Sequence, residues 1–285
     1  MKFTNEHNLP EMFARAVMND PYKGGGDISV TSLIAPVRQR TLMHKHFDEI
    51  EEDVSSRVWA LLGQSVHSVL ERSGGENAIV EKRLSMKILD WEVTGQTDYY
   101  EDGQIVDAKV TSAWALMPNE KVKPDWVNQL NCYAELWRAN GYKVRSLSIL
   151  GIIRDWSKHT ARRNENYPQV PVVIKKVKLN PRRKTQEYME ERVRLHKHAR
   201  GTGELPDCTP DERWHKKEQW AIMHPGRKRA IRLYDTLKGA ESHMFSVVHP
   251  DRKPLSIQHR PGESVRCNDY CAVKSFCSQY KEGRL

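Results

Sequence analysis

Two aspartates and a lysine carry the clearest chemistry in the chain. The pair Asp102-Gly103 separates two alternating runs, 88–100 and 104–110, which is the pattern of a hairpin with a two-residue turn. That turn pairs Glu101 with Gln104, Tyr100 with Ile105, Tyr99 with Val106 and Asp98 with Asp107. Directly opposed side chains have Cβ atoms about 4.5–5.5 Å apart, where like charges destabilise. A hard divalent cation, Mg2+ or Mn2+, turns such repulsion into a binding site, so Asp98 and Asp107 are read as metal ligands. Alternation places Lys109 on the face of Asp107, with Val106, Ala108 and Val110 turned towards packing. An ammonium there orients a water or stabilises charge on a phosphate, while the metal polarises phosphoryl oxygens and acidifies water. This is equipment for phosphodiester hydrolysis, although a D-x-K alone is weak and a solvated hairpin face fits it too. Glu81, on the preceding strand, is a possible further acid, and its neighbours Lys82 and Arg83 fit a solvated edge equally well.

Cysteines form a second constellation. Cys267, Cys271 and Cys277 lie within eleven residues, and Cys208 is the natural fourth ligand of a metal centre. Closing the chain between Cys208 and Cys267 costs about 3–4 kcal/mol in the logarithmic loop term. A structural metal supplies on the order of 10 kcal/mol or more, enough to offset it. Cys132, the fifth cysteine, reads as a small buried apolar residue.

The elements that must position these residues follow from periodicity and punctuation. A short helix runs from Asn8 to Asn19, and residues 28–33 alternate as an extended segment. A long helical pattern then extends from Pro36 to about Glu71. In it Val54, Val58, Leu61, Leu62, Val66, Val69 and Leu70 keep a 3.6-residue period, predicting one buried face. Residues 78–110 change to short β runs, a helix follows over 124–140 with Gly141 as its cap, and further strands are expected at 147–153 and 172–179. Asn180-Pro181 opens a highly charged helix to about Ala199, and Gly201-Thr202-Gly203 reads as a linker.

Composition bounds the partners. With 285 residues, 38% apolar and 29% charged, wholesale disorder is excluded and a real core is expected. No run approaches the roughly 18 apolar residues of a membrane span, and Met1-Lys2-Phe3-Thr4-Asn5-Glu6 lacks the apolar core of a signal peptide. A soluble, cytoplasmic protein without a membrane partner is the expectation. Lys and Arg number 46 against 37 Asp and Glu, a net +9 that makes nucleic acid the first partner to consider. Lys175-Lys176, Arg182-Arg183-Lys184, the run 192–197 and Arg227-Lys228-Arg229 could follow a phosphate backbone, with Trp156, Trp214 and Trp220 available for base stacking. Any one tract is more simply a solvated face.

Gly95-Gln96-Thr97-Asp98 followed by Val106-Asp107-Ala108-Lys109-Val110 resembles the core motif of the PD-(D/E)xK nuclease superfamily, with Thr97 where the superfamily name has proline. The segment Leu62-Gly63-Gln64-Ser65-Val66-His67-Ser68-Val69-Leu70-Glu71 resembles the helix that carries a metal-contacting histidine in the RecB-like branch, here His67. Gln129-Leu130-Asn131-Cys132-Tyr133 resembles that branch's Q-x-x-x-Y motif. The resemblance implies an α/β, restriction-endonuclease-like fold, with a mixed central sheet flanked by helices and a cysteine-clamped carboxy-terminal module. It implies that His67, Asp98 and Asp107 hold Mg2+ or Mn2+, that Lys109 assists water attack, and that Gln129 and Tyr133 position DNA. The implied activity is a metal-dependent DNA exonuclease of recombination, repair or phage DNA processing, partnered by DNA and by a recombination or single-strand-annealing protein.

The cysteine spacing resembles the iron–sulfur module of RecB-like nucleases, AddB-type and CRISPR-associated, which implies a [4Fe-4S] cluster on Cys208, Cys267, Cys271 and Cys277 ahead of zinc. Those families often set the remote cysteine before the core, whereas Cys208 follows it, as in phage-type members. Expected boundaries are an amino-terminal helical extension (1–27), a nuclease core (28–200) and the cysteine module (201–285). The alternatives are a CRISPR-adaptation nuclease trimming spacer precursors and, from other classes, a non-catalytic DNA-binding protein built on a four-cysteine metal cluster or a zinc-ribbon transcription factor.

Overall fold

The computed structural model describes residues 1–19, 25–246 and 254–285. The chain divides into two compact units, the first Met1–Thr41 with Phe47–Leu205 and the second Leu42–His46 with Pro206–Leu285. No helix among the described residues is long and apolar enough to cross a membrane.

The first unit runs β1 (Lys2–Thr4), α1 (Glu11–Met18), β2 (Ile28–Ser29), α2 (Val30–Ile34), α3 (Val37–Lys45), β3 (Glu51–Asp53) and α4 (Val58–Glu71). It continues through β4 (Ile79–Ile88), β5 (Trp91–Glu101), β6 (Gln104–Thr111), α5 (Pro124–Ala139), β7 (Ser146–Ile153), α6 (Lys158–Ala161), β8 (Val172–Val177) and α7 (Arg182–Thr202). It is a mixed α/β fold with a central mixed sheet flanked by helices, as expected. The sheet order is β2-β5-β6-β7-β8 with β4 also on β5; β5 and β6 are antiparallel, β6 and β7 parallel, β7 and β8 antiparallel.

The hairpin turn forms as its chemistry dictates. Asp102 and Gly103 both take positive φ, 46° and 83°, the signature of a type I′ turn. One expectation is corrected here. Pairing runs Glu101–Gln104, Tyr100–Ile105, Tyr99–Val106 and stops, so Asp98 and Asp107 are not ladder partners. The Asp98 carboxylate instead accepts the Ala108 N–H at 2.6 Å. Along its other edge β5 pairs with β4 over nearly its whole length, while β2 takes only Val93 and Thr94. Residues 95–98 of β5 thus lie in a fork between β2 and β6.

Burial explains α5. Every residue from Gln129 to Trp137 is buried, since the helix contacts the sheet on one side and α2 and α7 on the other. Trp137 stacks on Tyr100 at 4.0 Å and donates its indole N–H to Thr97 Oγ1 at 3.0 Å. Cys132 is buried in this core, as expected, and burial pushes its thiol up to about 12. Buried Glu135 ties α5 to α7 by accepting from Arg138 at 2.6 Å and Gln186 at 3.2 Å, with Arg182 at 3.4 Å.

Four other expectations fail. The pattern over 36–71 is broken into α3, two 3-10 turns and β3, because residues 51–53 pair in parallel with residues 2–4. The apolar stripe of α4 is not buried: Val69 is 61% and Val58 38% exposed. Residues 28–33 form only a two-residue strand before Ser29 caps α2 by accepting from Ser32 N. The expected linker is also displaced, since α7 continues through Thr202 and ends on left-handed Gly203.

The second unit contains β9 (His215–Lys216), β10 (Gln219–Met223), β11 (Arg232–Tyr234), α8 (Leu237–Ser246), β12 (Ser256–Arg260), β13 (Glu263–Ser264) and α9 (Ser278–Lys281). β10 is the centre of a three-stranded antiparallel sheet, and β9 pairs with β13.

Candidate active site and cysteine segment

The fork in β5 opens onto a cleft of about 780 Å³. His67, Glu81, Asp98, Asp107, Lys109, Gln129 and Tyr133 all line it, so every residue of the first constellation, and each one added by the resemblance, meets in one place. α4 contributes His67, β4 Glu81, β5 Asp98, β6 Asp107 and Lys109, and α5 Gln129 and Tyr133.

The acids are not equivalent. His67 Nδ1 lies 3.2 Å from Asp98 Oδ1 and 3.7 Å from Glu81 Oε1. Hydrogen bonding to Asp98 and then to Glu81 pushes the imidazole up to about 10. Asp107 is 2% exposed and ion-paired to Lys109 Nζ at 2.7 Å. Burial raises its carboxyl, and the ammonium pulls the other way. Among the described residues, the one group of three or more His, Cys, Asp or Glu donor atoms all within 4.8 Å of one another is His67, Glu81 and Asp98. One imidazole nitrogen and two carboxylate oxygens are a donor set suited to Mg2+ or Mn2+, so the residues present fit such a cation.

Gln129 and Tyr133 form the inner wall rather than open surface. Gln129 Nε2 donates to Tyr133 Oη at 2.9 Å, and burial raises the phenol. The Tyr133 ring packs onto Gly95, where an added Cβ would meet its Cε1 at 2.7 Å. The glycine of the Gly95-Gln96-Thr97-Asp98 run therefore lets α5 approach the fork.

Gln64, Glu71, Arg83 and Gln96 also line the cleft and were not singled out from sequence. Gln64 and Glu71 stand three before and four after His67, so the helical period does place them on its face. Gln96 gave no such signal. Its amide donates to Glu81 Oε2 at 2.6 Å while its carbonyl accepts from Arg83 at 3.1 and 3.3 Å.

In the second unit Cys267 sits in a π-helical turn (Arg266–Tyr270), Cys271 directly follows it, and Cys277 precedes α9. Burial raises the thiols of Cys267 and Cys271, and Cys271 also feels charge on Cys267 and Cys277. Cys208 is fixed beside α9 by a reciprocal pair: its N–H donates to Gln279 Oε1 at 2.8 Å and its carbonyl accepts from Gln279 Nε2 at 3.0 Å. None of the four forms a disulfide among the described residues.

The basic tracts and tryptophans are mostly engaged elsewhere. Lys175 donates to the carbonyls of Met117, Pro118 and Glu120, and Arg192 to those of Leu33 and Ala35. Arg183 and Arg194 pair with Glu187 and Glu190 on their own helix. Trp156 donates to Pro168 O and packs in a small cluster with Tyr167, so it is a packing residue. Trp214 lies under the Arg266 guanidinium at 4.2 Å, and Trp220 lies against His259. Arg227-Lys228-Arg229 is exposed.

No protein-family model matches the chain, and no curated protein matches it. Solved structures similar to it include the following two. The crystal structure of SSO0001 has a TM-score of 0.47 at 14% identity, covering 71% of this chain and 88% of its own. The crystal structure of a candidate exonuclease from Eubacterium rectale has a TM-score of 0.43 at 14% identity, covering 74% and 91%.

Proposed function

We propose that the protein is a metal-dependent deoxyribonuclease, an exonuclease acting on DNA in recombination, repair or phage DNA processing. The observation that carries this is the cleft itself: an imidazole, four carboxylates and an ammonium line it, and one carboxylate, that of Asp107, is buried against that ammonium. A purely binding surface gains nothing from carboxylates facing phosphate, because they repel it.

His67 and Asp98 would hold the divalent cation, with Glu81 and Asp107 the two acids available for the third place. The cation supplies Lewis-acid polarisation of a phosphoryl oxygen and acidifies water. Lys109, held at 2.7 Å by Asp107, keeps its charge fixed at the cleft, where it orients the attacking water and stabilises charge developing on the phosphate. The Tyr133 hydroxyl and Gln129 amide form the wall against which the strand is positioned.

In the second unit, Cys208, Cys267, Cys271 and Cys277 would hold a [4Fe-4S] cluster. The cysteine spacing and the tethering of Cys208 to Gln279, two residues from Cys277, support this reading, although the four sulfurs do not lie within 4.8 Å of one another. The cluster acts as a staple there and takes no part in hydrolysis.

The test is degradation of 5′- and 3′-labelled single- and double-stranded DNA with and without Mg2+. Lys109→Ala and Asp107→Asn are each expected to lower the rate by roughly 10³-fold with the fold retained. Undiminished degradation in either variant overturns the mechanism.

A further inference from the structure

Two indoles stand in solvent at the end of the sheet that β6 reaches beyond Lys109. Trp59, in the first turn of α4, is 54% exposed, and Trp114 is 70% exposed while its neighbours Ala113, Ala115 and Leu116 are buried. One exposed apolar side chain is ordinary, but these two are held by groups from a neighbouring strand end. The Arg154 guanidinium, directly after β7, lies 3.9 Å from the Trp59 ring centroid, and among the described residues no carboxylate pairs with it. Its own N–H donates to Thr111 O at 3.0 Å, at the end of β6. Asp155 Oδ1 accepts the Ala113 N–H at 2.7 Å and so pins the 3-10 turn (Ala113–Leu116) that bears Trp114. Lys123, ahead of α5, stands over Trp126 at 4.9 Å, and its ammonium is lowered by burial, with Asp125 opposing and Arg154 adding to the shift.

Resting on the deoxyribonuclease reading, we infer that Trp59 with Arg154, flanked by Trp114 and Lys123, is a stacking platform for the unpaired bases of a single DNA strand whose phosphate is presented to Lys109. A duplex keeps its bases stacked on one another, whereas an unpaired base offers its face to an indole, and a guanidinium on that indole adds charge for the neighbouring phosphate. The platform also lies within reach of the cleft. Thr111 is two residues beyond Lys109, roughly 7 Å along β6. Trp59 is two turns ahead of His67, roughly 12 Å along α4. At about 3.4 Å per stacked nucleotide, the platform holds bases about two to four nucleotides from the cleft.

The experiment is fluorescence anisotropy of a 5′-labelled oligonucleotide with the full chain in EDTA, with circular dichroism to confirm folding. Three probes are compared: the single strand, the same strand made abasic, and the duplex. Trp59→Ala is expected to weaken single-strand binding by about 5- to 150-fold and to leave the abasic strand within about twofold of wild type, because its phosphates are still held. Arg154→Ala weakens both, and Trp59→Phe recovers most of the loss. Trp114→Ala, on a different element, weakens the single strand independently of α4. Wild-type single-strand affinity in both tryptophan variants, an equal loss on the abasic strand, or tighter binding of duplex than of single strand by the wild type overturns the platform, and the hydrolase reading then stands or falls by the Lys109 and Asp107 variants. A chain that binds the single strand through Trp59 yet degrades no DNA in Mg2+ overturns the hydrolase reading and leaves the platform.

Discussion

The two groups of candidate ligands are built from opposite materials. His67, Glu81, Asp98, Asp107 and Lys109 project from one helix and three paired strands, and α5 closes the cleft from a wholly buried position. Their geometry is held by ladder bonds, an aromatic stack and a buried ion pair before any ligand arrives. Cys267 sits in a π-helical turn, Cys271 just after it, and Cys277 between a 3-10 turn and a four-residue helix. Little regular structure surrounds them, so a metal group on the sulfurs would add to the order of that segment. A catalytic ion can be exchanged in a rigid site, whereas a structural cluster has to supply folding energy itself.

The sharpest way to break the contrast is to remove a sulfur. Cys271→Ser is expected to cost the second unit on the order of 10 kcal/mol, which is more than its stability, so it unfolds. Iron and sulfide analysis with limited proteolysis should show a colourless second unit cut throughout, beside a protected first unit. A colourless variant that resists protease would mean that the cysteine segment is held by packing alone.

The first unit should respond to packing and protons instead. His196 is buried, donates its Nε2–H to Leu33 O at 3.1 Å, and is pushed down to about 4 by burial and by Arg192. A base with a depressed folded-state pKa binds its proton first in the unfolded chain. Its contribution is therefore complete above about 6.5, falls as pH drops from there to about 4, and then levels off. The loss amounts to about 3 kcal/mol. Urea midpoints of wild type and His196→Gln over that window check it, the variant giving the flatter profile; parallel profiles would contradict the assignment.

Two glycines sharpen the comparison at the smallest scale. Gly95→Ala drives a methyl into the Tyr133 ring and should destabilise by about 1–3 kcal/mol while disturbing the cleft wall. Gly63→Ala, in the middle of α4 with nothing within 4 Å, should stabilise by roughly 0.5–1 kcal/mol. Denaturant titration of both variants should give opposite signs; equal signs would show that the close approach of α5 is not what requires Gly95.

Local chemistry was legible in the sequence and non-local pairing was not. Asp102-Gly103 announces its turn because φ preference is a property of the residues themselves, and the same holds for Gly141 after α5. The end of the β5–β6 ladder at Tyr99 was not legible, because how far two strands stay paired is set by the sheet around them: β6 keeps β7 from Gln104 to Thr111 but β5 only to Val106. The split of the 36–71 pattern was hidden for a like reason, its cause being residues 2–4 some fifty positions earlier. The period of α4 correctly marked a helix, but whether a partner covers its apolar stripe is not written in the period.

By itself the amino-acid order determined which chemical groups are present and which neighbours share a face: the D-x-K alternation, the hairpin turn, the i,i+4 pair Gln129 and Tyr133, the cysteine spacing. Only the tertiary structure decided which carboxylates meet. Sequence alternation set Asp98 against Asp107, yet the β5–β6 ladder ends just before that pair would form. A strained residue on the other neighbouring strand, Glu81, faces Asp98 instead. Charge proximity is a property of distances across strands, and those are set by the summed packing of β4, β5, β6 and α5 rather than by any local run of residues.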